Sequence, residues 1–217
     1  MGRAASIDFT GMGRAEVVTV GGIRSVTAWA GELKWNWLTG QPAGSPPSFY
    51  TYCVDLLSNE TDPQSVQIRS TNDMTTVTGN GAQKAAWLFN TYASQVHGAS
   101  GTSAMGAGLQ MAIWEVLYDN VYSLSAGSFY AATASAGALA AGNSYLAALT
   151  AVGSGYLSAS ATWLDAPTSA PGQGSLGQDQ IMAPIPEPAS MILLGSGIAG
   201  MVAAARRRKA KTDSVVA

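Results

Sequence analysis

The sequence has very few of the residues from which most metal and nucleophilic sites are built. Among its 217 residues there is one cysteine, Cys53, and one histidine, His97. One cysteine cannot form an internal disulfide, and one cysteine with one histidine leaves no zinc site of the usual kind. A Ser-His-Asp triad would have to recruit His97, and no nucleophile-elbow pattern accompanies it. Charged residues make up 11% and the net charge is −2, so there is no basic field for nucleic acid. Nothing in the composition points to a cofactor. The N-terminal stretch MGRAASIDFTG has no apolar run of the signal-peptide type. The expectation is a start codon further upstream, with Ala4-Ala5-Ser6 suited to the region just after a cleavage site.

What is abundant is apolar and small. Hydrophobic residues reach 47% and there are 25 glycines, enough for one sizeable packed domain with tails. The first third reads as strands. AEVVTV (15–20) is β-branched and ends at Gly21-Gly22, and 23–38 alternates Leu33, Trp35 and Trp37 with Lys34 and Asn36. Residues 49–57, 65–70 and 74–79 read as further strands. The period then changes. In 82–96, Ala85, Leu88, Phe89, Tyr92 and Val96 share a helical face, and His97-Gly98 closes it as a dipole-suited histidine and a left-handed glycine cap. A second helix over 106–120 carries Leu109, Ile113, Val116 and Leu117 on one stripe. An alanine-rich stretch follows, best as a helix at 143–152, and 161–167 and 178–184 read as short closing strands. The expectation is an α+β domain over 6–183, β-rich in its N-terminal part with two or three packed helices.

The last segment reads PIPEPASMILLGSGIAGMVAAARRRKAKTD. Pro186-Glu187-Pro188 precedes an apolar run, 189–205, at the short limit of a membrane span. Arg206, Arg207, Arg208 and Lys209 follow, and basic residues stay cytoplasmic, leaving everything before 189 outside. This ordered set resembles the PEP-CTERM sorting signal, assigned to 184–217. The resemblance implies a Gram-negative, exopolysaccharide-producing bacterium and an exosortase-type transpeptidase as partner. It also implies an inner-membrane precursor held through 189–205, and a mature form at the cell surface or in the extracellular matrix.

A free thiol in an exported chain is unusual. Cys53 reads as an inert core residue, as half of an intermolecular disulfide, or as a group consumed in another bond. Gln110, inside the apolar run GLQMAIW, supplies a chemistry for the last. A thiol can attack a side-chain carboxamide and expel ammonia, leaving an internal thioester, provided the two are oriented and water is shut out.

Tyr52-Cys53 on an early strand and Leu109-Gln110-Met111-Ala112-Ile113, followed by Trp114, on a later helix resemble the thioester domains of bacterial surface adhesins. Leu109 stands where threonine is common. The resemblance implies covalent attachment, through Gln110, to an amine- or hydroxyl-bearing surface ligand in a single event, and so an adhesin rather than a turnover enzyme. Asp55 and His97 are candidates to assist proton transfer, although a turn cap and a helix cap are the simpler readings. Glu115 lies about 140° around the helix from Gln110, which separates the two. The alternative function is a non-covalent exopolysaccharide or biofilm matrix protein with an inert cysteine. Trp29, Trp35 and Trp37 with Tyr50 and Tyr52 could stack on sugars, but Trp35 and Trp37 alternate with polar residues, as core-facing positions do, and core is the better reading.

Overall fold

The computed structural model describes residues 2–167 and 177–185. The chain divides into two units, one of residues 1–41 and 46–184 and one of residues 42–45 and 185–217. In the second unit, Pro42–Ser45 forms a turn in which the Ser45 N–H donates to the Pro42 carbonyl at 3.1 Å, with Gly44 at φ +81°.

The described residues of the first unit form seven strands: β1 (Arg3–Gly22), β2 (Val26–Thr39), β3 (Ser48–Cys53), β4 (Gln64–Ser70), β5 (Phe129–Thr133), β6 (Thr162–Asp165) and β7 (Gln180–Met182). They are ordered β2-β3-β7-β6-β4-β1, and β1 pairs back onto β2, so six strands close into a barrel. β5 adds to β1 beyond β4, and every pairing is antiparallel. Closure satisfies the backbone along both edges of the strands, which leaves the barrel few open templates for aggregation.

β1 serves two neighbours on one side because it is long and bent. Its register against β2 slips after Ser6, after Phe9 and after Met12. Extra residues of this kind bend a strand and increase its twist. Gly31 of β2 faces one of these slips at φ +140°, and a Cβ there would lie 2.2 Å from the Arg14 carbonyl oxygen. Only glycine fits that position.

Three helices pack on the barrel: α1 (Gly81–His97), α2 (Ser103–Tyr118) and α3 (Ala136–Ala151). Thr102 caps α2 by accepting from the Met105 N–H at 3.2 Å, and Ser135 caps α3 by accepting from the Ala138 N–H at 3.1 Å. α2 is the centre of the fold. Every residue from Gly106 to Leu117 is buried. The helix lies between β1 and β2 on one side and α1 and α3 on the other. Gly106 and Gly108 permit this, since a Cβ on the first would strike the Arg14 carbonyl and on the second the Ala138–Gly142 segment of α3.

The α+β expectation stands in the coarser form of a β-rich barrel with a few helices. β2, α1 and the closing strands fall where the sequence pattern places them, whereas β1 begins at Arg3 rather than at 15, because its first residues pair with β4. The differences have physical causes. The third strand stops at Cys53 rather than Leu57, because the chain turns there and Asp55 Oδ1 accepts from the Leu57 N–H at 2.8 Å. Residues 74–79 form a turn with an isolated Thr76–Gly79 bridge instead of a strand. α3 begins at Ala136, earlier than the expected 143, and β5 was not anticipated within the alanine-rich stretch. Gly98 caps α1 in an extended conformation (φ −64°, ψ 174°), so the left-handed cap is not formed. The expected membrane helix 189–205 lies outside the described residues, and no helix among the described residues is long and apolar enough to cross a membrane.

Candidate functional site around Cys53 and Gln110

Cys53 is the last residue of β3, and Gln110 sits mid-way along α2. The barrel and the central helix bring them together across 57 positions of sequence. The Cys53 N–H donates to Gln110 Oε1 at 2.9 Å, and Gln110 Nε2 donates to the Cys53 carbonyl at 2.7 Å. The carboxamide thus closes a two-bond ring on the backbone of a single residue. Both are enclosed: Cys53 is 3% exposed and Gln110 1%. Gln110 lies off the Leu109–Leu117 stripe and is still buried, because α2 is surrounded on all sides.

β3 ends here because its partner does. Tyr52 and Cys53 pair with Ile181 and Gln180 of β7, and the Val54 N–H then donates to the Asp179 carbonyl at 3.0 Å. The Cys53 thiol donates to the Asp55 carbonyl at 3.1 Å. Burial pushes the thiol pKa far above its ordinary value. Contact with the Trp114 indole and the Asp55 backbone opposes this, and the charges of Asp55 and Glu60 reinforce it. Trp114 Nε1 itself makes no full hydrogen bond. The sulfur is therefore held as a thiol, with the Trp114 ring as a wall. Tyr118 closes the other side: its hydroxyl accepts from the Leu56 N–H at 3.1 Å.

Of the two assisting candidates, Asp55 contributes its main-chain carbonyl to the thiol, while its carboxylate caps the turn at Leu57. The simpler reading of Asp55 as a turn cap is the one its carboxylate takes. His97 lies in a separate cavity of about 290 Å³ with Gly13, Arg14, Glu32 and Tyr50. There its Nδ1 lies 3.4 Å from Glu32 Oε1, and its ring packs on Tyr50 at 4.2 Å. It fastens the end of α1 to the barrel. Glu32 is buried and also accepts from the Arg14 N–H at 2.9 Å.

Sequence reasoning missed the glutamines that support the strand end. Inside the barrel, Trp35 Nε1 donates to Thr51 Oγ1 and Thr51 Oγ1 donates to Gln180 Oε1, each at 3.0 Å. Gln178 Nε2 donates to the Asp55 and Ser58 carbonyls at 2.9 and 3.1 Å, and Gln64 Nε2 donates to the Gln178 carbonyl at 2.8 Å. The available signal was the spacing Gln178-Asp179-Gln180 in a short closing strand.

The tail of the chain can be placed among known proteins. Residues 184–209 match the PEP-CTERM protein-sorting motif. The PEP-CTERM motif is the recognition signal for exosortase, and it implies an exported protein with a membrane-anchored precursor before processing. Pro186, Glu187, Pro188, Arg206, Arg207 and Arg208 belong to it and lie outside the described residues. No curated protein and no solved structure matches the chain.

A second buried acid lies further along α2. Glu115 is 0% exposed; its Oε1 accepts from the Ser123 N–H at 2.6 Å, and its Oε2 has no partner. Burial raises its pKa to about 7, opposed by the Ser123 N–H and reinforced by Asp119. Burial likewise raises Asp179 to about 6, although Trp163 and the Ala166 N–H both donate to it. A carboxyl whose folded pKa is raised keeps its proton where the unfolded chain has lost it. Its favourable contribution is therefore complete below the ordinary carboxylate pKa and is lost as pH rises through the folded value. Glu115→Gln is expected to leave stability at pH 4 nearly unchanged. At pH 8 the variant should be more stable than the native chain by ~1–3 kcal/mol, allowing for screening. Urea unfolding at the two pH values checks this; equal stability differences at both would show that Glu115 does not titrate in this range.

Proposed function

We propose that this PEP-CTERM protein is an exported surface or matrix adhesin whose barrel domain forms an internal thioester between Cys53 and Gln110 and anchors covalently to a nucleophilic ligand. The observation that carries this reading is the buried pairing of the Gln110 carboxamide with the Cys53 backbone. The only cysteine and an apolar-flanked glutamine meet in a buried site, where proximity favours acyl transfer.

The reaction balances without a co-reactant. The Cys53 sulfur attacks Gln110 Cδ, the C–N bond breaks, and the thiol proton leaves with the nitrogen as ammonia. Gln110 Nε2 must give up its bond to the Cys53 carbonyl as it departs, and the Asp55 carbonyl must release the thiol proton. Gln110 Oε1 keeps the Cys53 N–H as a donor throughout, in the position where negative charge develops in the tetrahedral intermediate. The raised thiol pKa fits a proton transfer coupled to attack rather than a free thiolate.

Intact mass tests the reading. The purified chain should be lighter by one ammonia than its sequence requires, and methylamine should add one equivalent while freeing one thiol. A chain of unmodified mass whose thiol titrates after denaturation, and to which methylamine adds nothing, would leave Cys53 as a packing residue and the protein as a non-covalent matrix component.

A further inference from the structure

Cys53 and Trp114 form part of the wall of a cavity of about 280 Å³ that opens to the surface, with Arg24, Trp29, Asn59, Glu60 and Gln178 also lining it. The volume is at the small end for ligand pockets, which run from roughly 300 Å³. It admits one compact group, not a folded segment. The rim is already fastened: Arg24 Nη1 donates to the Leu56 carbonyl at 2.8 Å, and Nη2 donates to Asn59 Oδ1 at 3.1 Å. The loop that frames the cavity is thus held before any ligand arrives.

Trp29 stands out on this rim. It lies outside the Leu33–Trp37 alternation of β2 and is 57% exposed. Across the strand pair it faces Val17, also exposed, so the two form an apolar shelf on the outer face of the barrel. Beside the shelf are Thr19 and Thr27, whose hydroxyls share a hydrogen bond at 2.9 Å. The charges of Arg24 and Glu60 offset one another, so the mouth selects neither an anion nor a cation. A flat indole, planar amide and guanidinium groups and no net charge suit a neutral, polyhydroxylated ring. Such a ring presents C–H groups on one face and hydroxyls around its edge.

We infer that the cavity beside Cys53 receives a neutral sugar residue of a glycan, stacked on Trp29, and that one of its hydroxyls is the nucleophile. The covalent step rests on the thioester reading; the saccharide seat does not. In that step the hydroxyl oxygen attacks Gln110 Cδ, an ester C–O bond forms as the C–S bond breaks, and the hydroxyl proton passes to the Cys53 sulfur. Burial favours the protonated sulfur, which makes the thiol a good final resting place for that proton. A lysine side chain would have to shed its own proton before attack, in a mouth that offers it no net negative charge.

The test uses the full chain with homo-oligosaccharides of glucose, mannose and galactose, an N-acetylated lysine peptide and methylamine, read by intact mass. A saccharide adduct of one per chain is expected. Trp29→Ala should lower the ratio of saccharide to methylamine coupling by about tenfold or more, the effect of losing one aromatic contact worth ~1.4 kcal/mol. Faster coupling of the lysine peptide than of every saccharide, or an unchanged ratio in Trp29→Ala, overturns the inference. Calorimetry with Cys53→Ala, which cannot form the bond, tests the seat alone. Saccharide binding should persist in that variant and vanish when Trp29→Ala is added. If the native chain retains its ammonia, the thioester reading has failed and the calorimetry still decides; no heat of binding with any of the three saccharides overturns the saccharide seat.

Discussion

Cys53→Ala and Gln110→Ala are each expected to abolish ammonia loss and methylamine incorporation completely, and yet to differ widely in stability. Cys53→Ala removes the sulfur but keeps the N–H and carbonyl that hold the Gln110 carboxamide. Its folding cost is the loss of one small buried group, about 1 kcal/mol. Gln110→Ala keeps the sulfur but leaves both backbone groups of Cys53 buried without partners. Each such orphan costs ~1–3 kcal/mol, and the vacated side-chain volume adds to it. Any stabilisation from a cross-link is absent from both variants, so it cancels between them. The expected gap is about 2–5 kcal/mol, with Gln110→Ala the less stable. Urea unfolding of the two variants measures it. Equal stabilities would mean that water replaces the carboxamide at Cys53, and hence that the site is wet. A wet site could not protect a thioester from hydrolysis.

The sequence shows this pairing only in outline. Cys53 and Gln110 draw notice because each is chemically out of place: a lone thiol, and an amide in an apolar run. That anomaly survives folding, since polar groups in apolar surroundings must find partners. That the carboxamide bonds the Cys53 backbone was not legible. Periodicity marks Leu109, Ile113, Val116 and Leu117 as one buried stripe, and a stripe predicts that Gln110 lies off it. The stripe is misleading because α2 is covered on every side, by β1 and β2 and by α1 and α3. A helix buried all round has no polar face to read. The strands were legible for the opposite reason: their β-branched and aromatic runs end at glycine and proline. Closure of the barrel was not, because it depends on the short strands β6 and β7 joining β3 to β4, with Tyr52 pairing to Ile181 across most of the chain. Trp29 lies outside the Leu33–Trp37 alternation, and the slip at Gly31 separates the exposed Trp29 from the buried Trp35. The tail needed no folding at all to be read. Its motif is a linear string recognised as such, and 184–209 carries it whole.

Thr51→Val is expected to be among the most destabilising single substitutions in the barrel, although it barely changes side-chain volume. The Thr51 hydroxyl accepts from Trp35 Nε1 and donates to Gln180 Oε1, and all three side chains are fully buried. Valine fills the space and breaks both bonds, leaving an indole N–H and an amide oxygen unsatisfied in an apolar interior. Two such groups at ~1–3 kcal/mol each predict a loss of about 2–5 kcal/mol, seen as a lower urea midpoint with an unchanged slope. The consequence reaches the site because Gln180 pairs in register with Cys53 across β3 and β7. Loosening that pair should let the end of β3 open locally without global unfolding. In the Gln110→Ala background, where the thiol is free, Thr51→Val should therefore speed alkylation of Cys53 under native conditions. An unchanged alkylation rate, with the midpoint lowered as expected, would show that the barrel interior and the strand end open independently. The dryness of the site would then depend on α2 and Trp114 alone, with no contribution from the closure of the barrel.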